Sequence, residues 1–313
     1  MRVVFLGTPT FAVPSFKKLL EHSYEICCVF TQPDRPSGRG QKLHPSPIKA
    51  VAADYGIPVL QPDRISSEQN RDYCLKLQTD FIVVVAYGQI LPEWLLQSAR
   101  LMAINVHASL LPKYRGASPI ATSILNGDTI TGVTTMMMEG KLDAGPVLLQ
   151  QTVAISPTIT AGELTTDLSM MGGDLLIKTM DGIRNNTIRP LSQDESRASY
   201  APRITKERAA IAWEKNSTEI HNQIRAMNPW PVATTLFHGD PLFIWRSLPE
   251  NPTIDSPKSA GSFLGFSGSG IRIQCGEGTT LDVLEVQRPG KSHISGRDFA
   301  NGAHLRAGER VFS

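Results

Sequence analysis

Cysteine is scarce in this 313-residue chain. The four present, Cys27, Cys28, Cys74 and Cys275, have none of the spacings of zinc ligands, and the adjacent Cys27 and Cys28 sit inside an apolar run. They read as reduced, buried thiols of a cytosolic protein rather than as a metal site. Long hydrophobic runs are also missing: no stretch approaches the roughly 20 apolar residues that a membrane-spanning helix needs. The first residues, Met1-Arg2-Val3-Val4-Phe5-Leu6-Gly7, run straight into what reads as a core strand, with no Arg/Ser-rich transit region and no signal-type cleavage site. The expectation is a bacterial-type cytoplasmic protein. Nor is either charge in excess. The formal net charge is +2, acids and bases balance over residues 1–202, and the small surplus lies in 203–313. Such a balance neither requires nor excludes a nucleic-acid partner, so that question rests on local patches.

What is present is a change of pattern along the chain. The length predicts two domains at about 100–200 residues each. Up to residue 183, short apolar runs alternate with helical periodicities. Strands are expected at Arg2–Leu6, Ile26–Thr31, Phe81–Ala86, Ala103–His107 and Val133–Met138, and helices at Phe11–His22, Ile48–Tyr55, Gln69–Leu77 and Pro119–Asn126. Leu164, Leu168, Met171 and Leu175 recur at helical spacing within Ala161–Ile183, predicting an amphipathic closing helix. The alternation predicts an α/β fold over residues 1–184, a Rossmann-like, mostly parallel, doubly wound sheet. Residues 185–205 are polar, contain Pro190 and Pro202, and read as a linker. From 206 to 313, after one helix near Thr218–Met227, short strands separated by Gly and Pro turns dominate. They are Thr234–Phe237, Leu242–Trp245, Gly261–Phe266, Ile271–Cys275, Leu281–Val286 and Arg310–Phe312. They predict a second, smaller C-terminal β-barrel domain, OB-like.

The first glycine loop, Gly7-Thr8-Pro9-Thr10-Phe11-Ala12, is neither the dinucleotide G-x-G-x-x-G nor a phosphate-binding P-loop, which argues against nicotinamide or nucleoside triphosphate chemistry. The informative segment is Ile104-Asn105-Val106-His107-Ala108-Ser109-Leu110-Leu111-Pro112-Lys113-Tyr114-Arg115-Gly116. Asn105 and His107 are two apart at the end of an apolar strand, so their side chains leave the same face. Ligands of open α/β sheets sit outside the carboxyl ends of strands. Leu142-Asp143-Ala144-Gly145-Pro146 follows another expected strand, which allows Asp143 to reach the same edge. These side chains suit acyl transfer to an amine. An Asn amide can donate to a developing oxyanion. A His near neutrality can take the proton of the attacking amine. A carboxylate can orient the imidazole and stabilise its charged form, or relay a proton to the leaving nitrogen. Neither a metal nor a covalent nucleophile is required. Taken singly, each residue also has a structural reading: His as a strand-end hydrogen-bonder, Asn as a turn cap, Asp as a turn residue.

Together the residues resemble the folate-dependent formyltransferase superfamily, whose signature is an Asn-x-His strand end, a Ser-Leu-Leu-Pro loop and a downstream Asp. Asn105, His107, Ser109, Leu110, Leu111, Pro112 and Asp143 match it position by position. That set is shared widely. It implies formyl transfer from 10-formyltetrahydrofolate without naming the acceptor. Three more segments are similar to the methionyl-tRNA formyltransferase family within it. They are Gly38-Arg39-Gly40-Gln41-Lys42-Leu43 with Pro47-Ile48-Lys49, Tyr200-Ala201-Pro202-Arg203-Ile204-Thr205-Lys206, and Ile224-Arg225-Ala226-Met227-Asn228-Pro229-Trp230-Pro231. The chain departs from that pattern at Ser118, Lys141 and Ala144, where Ala, Gly and Thr are usual; these flank the matched residues.

The resemblance implies Asn105, His107 and Asp143 as the catalytic trio. It implies Ser109–Pro112 as lining for the tetrahydrofolate site, and Ala86-Tyr87-Gly88 as a loop near the pterin. It further implies methionyl initiator tRNA as acceptor, with no metal, no membrane and no obligate protein partner. The loop from Asp34 to Lys49 carries Arg35, Arg39, Lys42, His44 and Lys49 against Asp34 alone. Its glycines give backbone freedom and its prolines limit collapse. The resemblance implies that this loop, with its Gly38 and Gly40, and Lys206 contact the tRNA, the loop sensing the weak first base pair; opening an unpaired end costs less than breaking a matched pair. The C-terminal cations Arg288, Lys291, Arg297, Arg306 and Arg310 would cradle the tRNA backbone. Trp230, between two prolines, could stack on a base, but a packing role at the domain junction is the expectation.

Overall fold

The computed structural model describes residues 1–37, 42–250 and 258–313. By its internal contacts the chain divides into two compact units. One is Met1–Pro119 with Ile130–Val153 and Thr165–Ala201; the other is Ile120–Thr129 with Ala154–Leu164 and Pro202–Ser313.

The first unit is built on a seven-stranded sheet: β1 (Arg2–Gly7), β2 (Glu25–Phe30), β3 (Val59–Leu60), β4 (Phe81–Val85), β5 (Met102–His107), β6 (Ile130–Met137) and β7 (Val147–Ala154), in spatial order β7-β6-β5-β4-β1-β2-β3. The strands from β3 across to β5 are parallel, and β6 is antiparallel to β5. The chain order reverses between β1 and β4, the switch point of a doubly wound sheet. Phe81–Val85 is buried at every residue, as a parallel strand covered on both faces requires. On one face Val4, Leu6, Cys28, Phe30, Ile82 and Val84 form a continuous cluster with Cys74, Leu91 and Leu95. Phe5, which alternation turns the other way, meets Phe16 of helix α1 (Val13–Glu21) edge-on at 5.2 Å. The mostly parallel α/β architecture is therefore as expected. Two strands of this sheet lay outside the prediction. β3 has only two residues. β7 is an edge strand whose doublets Leu148-Leu149 and Gln150-Gln151 break the period of two.

The remaining helices are α2 (Pro47–Asp54), α3 (Glu68–Leu77), α4 (Glu93–Leu96), α5 (Pro119–Leu125), α6 (Ala161–Arg184), α7 (Ser217–Ala226) and α8 (Gly296–Ala303). Their starts are set by side chains that accept otherwise unpaired backbone N–H groups. Ser46 caps α2, Ser67 caps α3, Asn216 caps α7 and Ser295 caps α8. Before α6, Thr160 and Glu163 cap each other reciprocally. The Glu163 carboxylate accepts from Thr160 N at 2.8 Å, and Glu163 N donates to Thr160 Oγ1 at 3.3 Å. The polar stretch expected as a linker packs as part of the first unit up to Ala201. Leu191 pairs with Val147, and Tyr200–Ala201 runs parallel to Arg115–Gly116.

The second unit holds a six-stranded antiparallel sheet of β8 (Ala233–Phe237), β9 (Asp240–Glu250), β10 (Phe263–Ser267), β11 (Gly270–Gln274), β12 (Thr280–Gln287) and β13 (Ile294–Ser295). The order is β8-β9-β12-β11-β10, with β13 on β12. The expected last strand, Arg310–Phe312, forms isolated bridges to Phe237 and Ser262. Leu236 and Ser313 exchange both backbone hydrogen bonds, and Phe263 N donates to Glu309 O at 2.8 Å. The C-terminal segment thus joins the two edge strands and closes the sheet into a barrel. Trp213 stacks on Phe312 at 5.2 Å in the core, which Ile220 and Ile224 of α7 complete. Helix α8, rich in Gly and Asn, escaped the sequence pattern because burial of Phe299 and Ala300, not propensity, holds it.

Candidate active site

The three residues singled out from the sequence meet in space. Asn105 and His107 lie on β5, where His107 pairs with Thr134 and Asn105 with Met136 of β6. Because β6 runs antiparallel, it ends opposite Ile104 rather than beyond His107. It is the turn before β7 that carries Asp143 to them. Asn105 Nδ2 donates to Asp143 Oδ1 at 3.5 Å, and His107 Nδ1 lies 3.6 Å from Asp143 Oδ2. Asp143 Oδ2 also accepts from Gly116 N at 2.8 Å. All three side chains are nearly enclosed, which strengthens each electrostatic contact relative to water.

The other imidazole nitrogen decides the tautomer. His107 Nε2 is 2.9 Å from the Tyr114 carbonyl, an oxygen that can only accept, so Nε2 carries the proton. In the neutral ring, Nδ1 then presents its lone pair on the side of Asp143. Two glycines make this packing possible. A Cβ on Gly116, whose φ is +117°, would lie 2.8 Å from Ala201 O, and one on Gly145 would lie 2.0 Å from Met137 O.

The Ser109–Pro112 loop is rigidly tied. Ser109 Oγ donates to Lys113 O at 2.6 Å, and Thr134 Oγ1 donates to Ser109 O while accepting from Leu111 N. Gln150 Nε2 completes the knot on Leu111 O and Thr134 Oγ1. The Ser109 hydroxyl is therefore consumed within the loop. In the other expected folate segment, Ala86 and Gly88 are exposed, but the Tyr87 side chain turns into the core beneath the sheet. Its carbonyl is held by Thr8 and Gln32, each at 3.1 Å. Only the backbone of 86–88 and the Ala86 methyl face outward.

Of the expected tRNA contacts, Arg35 is exposed on a short strand, Arg35–Ser37, paired with Lys42–His44. Gly38, Arg39 and Gly40 lie outside the described residues, as does the side chain of Lys42. Lys206 is exposed in the second unit. Lys49, counted with the basic loop, is spent: its Nζ is 2.6 Å from Asp34 Oδ2. That ammonium, with Gln61, holds the Asp34 carboxyl below the usual carboxylate range. Trp230 is not packed away but about half exposed. Sequence reading passed over Arg115, Gln193, Glu195 and Ser199, which brace the site. A basic residue beside the motif was the only signal for Arg115; the other three sit in the apparent linker. Among the described residues no group of His, Cys, Asp and Glu is arranged to hold a metal ion, and no helix is long and apolar enough to cross a membrane.

An amide, an imidazole and a carboxylate thus converge at the rim of a Rossmann-like sheet. Residues 1–180 match the formyl transferase family model, and residues 203–304 match that of the formyl transferase C-terminal domain. A methionyl-tRNA formyltransferase of Methylococcus capsulatus is 43% identical over 99% of both chains. One of Bacillus subtilis is 44% identical over 98% of this chain and 96% of its own. Among solved structures, the N-formyltransferase of Helicobacter canadensis, in complex with folinic acid and dTDP-3-aminofucose, superposes with a TM-score of 0.67 at 22% identity, covering 90% of this chain and 98% of that one. A 4-N formyltransferase of Francisella tularensis has a TM-score of 0.60 at 20% identity, covering 78% and 96%. These two establish a shared fold. The chain belongs to the methionyl-tRNA formyltransferase family.

Proposed function

We propose that this protein transfers the formyl group of 10-formyltetrahydrofolate to the free α-amino group of methionyl initiator tRNA. The observation that carries the reading is the convergence of Asn105 and His107 on the Asp143 carboxylate at 3.5 and 3.6 Å. The amine attacks the formyl carbon, and the new C–N bond forms as the carbonyl oxygen gathers charge. Asn105 Nδ2 donates to that oxygen. His107 takes the amine proton on Nδ1, the nitrogen left free by Tyr114, and Asp143 stabilises the imidazolium. The proton then passes to the tetrahydrofolate nitrogen as its bond to the formyl carbon breaks, so the products are the formamide and tetrahydrofolate. The tied Ser109–Pro112 loop and the outward backbone of residues 86–88 form the folate wall. We assign catalysis to residues 1–184 and tRNA binding to 206–313, with Lys206 and the loop carrying Arg35, Gly38, Arg39, Gly40 and Lys42 against the acceptor stem.

The test is transfer of labelled formyl from saturating donor to charged initiator tRNA, with uncharged tRNA and a panel of sugar-nucleotide amines as alternative acceptors. Formylation of charged initiator tRNA alone is expected. No transfer to it, or preferred transfer to a sugar amine, rejects the reading. Arg39→Ala is expected to narrow the preference for initiator over elongator tRNA; equal kinetics on both in the wild type removes that assignment.

A further inference from the structure

The turn that carries Asp143 is held by one side chain from a distant part of the first unit. Gln193 Nε2 donates to Asp143 O at 2.8 Å and to Gly145 O at 2.7 Å. Its Oε1 accepts from Arg115 Nε at 3.1 Å and Nη2 at 2.9 Å. The amide has one possible orientation, because the two carbonyls only accept and the guanidinium only donates. The other edge of Arg115 forms a two-pronged pair with Glu195, Nη1 to Oε2 at 3.0 Å and Nη2 to Oε1 at 2.8 Å. The Arg115 side chain is 2% exposed. A buried guanidinium must be satisfied this fully or it destabilises the fold. The next residue, Gly116, binds the Asp143 carboxylate through its N–H. Neighbouring residues therefore fix both the backbone and the carboxylate of Asp143, whose φ of 48° lies in the left-handed region. Gly145, pressed on Met137 O, leaves the turn no slack on its other side.

We propose that Arg115 and Gln193 are positioning residues for formyl transfer, fixing the Asp143 turn so that its carboxylate stays between Asn105 and His107, with Glu195 orienting the guanidinium. The proposal rests on the reading of Asp143 as catalytic. Gln193→Glu is nearly isosteric. It keeps the pairing with Arg115 but aims an oxygen, in place of a donor, at two carbonyl oxygens. Gln193→Ala removes both contacts.

The test measures kcat and KM for Gln193→Glu, Gln193→Ala, Asp143→Asn and the double variant Asp143→Asn/Gln193→Glu. A displaced catalytic group costs on the order of 100-fold, so each Gln193 variant is expected to lose about that factor in kcat with both KM values nearly unchanged. The double variant is expected to be no slower than Asp143→Asn alone, because a positioning residue acts only through the group it positions. Wild-type kcat in both Gln193 variants beside an inactive Asp143→Asn overturns the positioning role and leaves the Asp143 reading standing. Losses that multiply in the double variant also overturn it. Full activity of Asp143→Asn instead removes the underlying reading. Should Gln193→Ala fail to fold, Gln193→Glu, which retains its partner Arg115, carries the comparison.

Discussion

Asp143→Asn is the sharpest perturbation of this site, because it removes a charge and almost nothing else. The carboxylate lies 3.6 Å from His107 Nδ1, with side-chain exposures of 13% and 7%. In the proposed reaction His107 takes the amine proton, and the resulting cation faces that anion. At an effective dielectric of about 20 the interaction is worth about 4–5 kcal/mol. Each 1.36 kcal/mol is about tenfold in rate, so the turnover number should fall by roughly three orders of magnitude, within the range that positioned acid–base groups supply. The amide cannot restore the network either. With its oxygen on Gly116 N–H, its NH2 faces Asn105 Nδ2, donor against donor; flipped, it faces the Gly116 N–H instead. The assay is single-turnover formyl transfer to methionyl-tRNA at saturating folate, alongside tRNA binding and thermal melting. Binding should match wild type, and stability in the melts should fall by no more than about 1–3 kcal/mol, the cost of one buried unpaired donor. A variant that folds normally and keeps more than about a tenth of the wild-type rate would falsify the ion-pair argument.

Three further outcomes follow from particular contacts. The Tyr87 hydroxyl is buried with no hydrogen-bond partner among the described residues, and burial pushes its pKa up to about 12. Tyr87→Phe should leave kcat and folate affinity unchanged and hold or raise stability by about 1–2 kcal/mol; a weaker folate complex means that the hydroxyl reaches the ligand after all. The Glu163 carboxyl is held at about 2 by the Thr160 N–H, the Arg246 guanidinium and the Thr160 hydroxyl. A depressed folded-state pKa contributes stability above the ordinary carboxylate range and loses it as pH falls toward 2. Since Glu163 is half exposed, the effect is about 1 kcal/mol or less. Glu163→Gln should lower Tm at pH 7 more than at pH 3, and a Tm difference that is flat with pH or widens in acid contradicts the assignment. Gly145→Ala sets a methyl 2.0 Å from Met137 O, so the turn must shift. A loss of about 1–3 kcal/mol in denaturant melts, with a larger proportional loss of activity than of stability, is expected; wild-type kcat shows that the turn tolerates displacement.

Much of the fold was legible because apolar periodicity reports burial. Phe81–Val85 is an unbroken apolar run and sits buried on both faces, and Leu164, Leu168 and Leu175 line the buried side of α6. The Asn105-x-His107 spacing was legible for the same reason, since alternation along a strand fixes which side chains share a face. Legibility ended where a residue's role depends on a partner far away in sequence. Tyr87 was expected within a loop near the pterin; one step along the chain separates the outward backbone of that loop from the apolar cluster, and tertiary packing sends the Tyr87 side chain into the cluster. Lys49 counted as a basic loop residue until Asp34 claimed it. Gln193 and Ser199 sit in a polar, proline-containing stretch with the composition of a linker. Hydrogen bonding, rather than hydrophobic burial, ties that stretch to the first unit, and hydrogen bonding leaves no periodic trace.

That stretch also explains how a strained site persists. Tyr114 and Asp143 both have left-handed backbones, with φ of 62° and 48°. Such conformations cost about 1–3 kcal/mol each and survive only where their surroundings over-determine them. Ser199 supplies the surroundings of Tyr114: its hydroxyl accepts from Tyr114 N at 3.0 Å, and its carbonyl accepts from Arg115 N at 2.8 Å. Gln193 does the same for Asp143. The Tyr114 twist turns its carbonyl onto His107 Nε2, which commits that nitrogen's proton and leaves Nδ1 as the basic atom. The Asp143 twist brings the carboxylate to the same nitrogen. The direction in which His107 can accept a proton is thus set by two backbone twists, each held by a residue from one polar segment. A change anywhere in Gln193–Ser199 that frees either twist should alter the chemistry before it alters the fold.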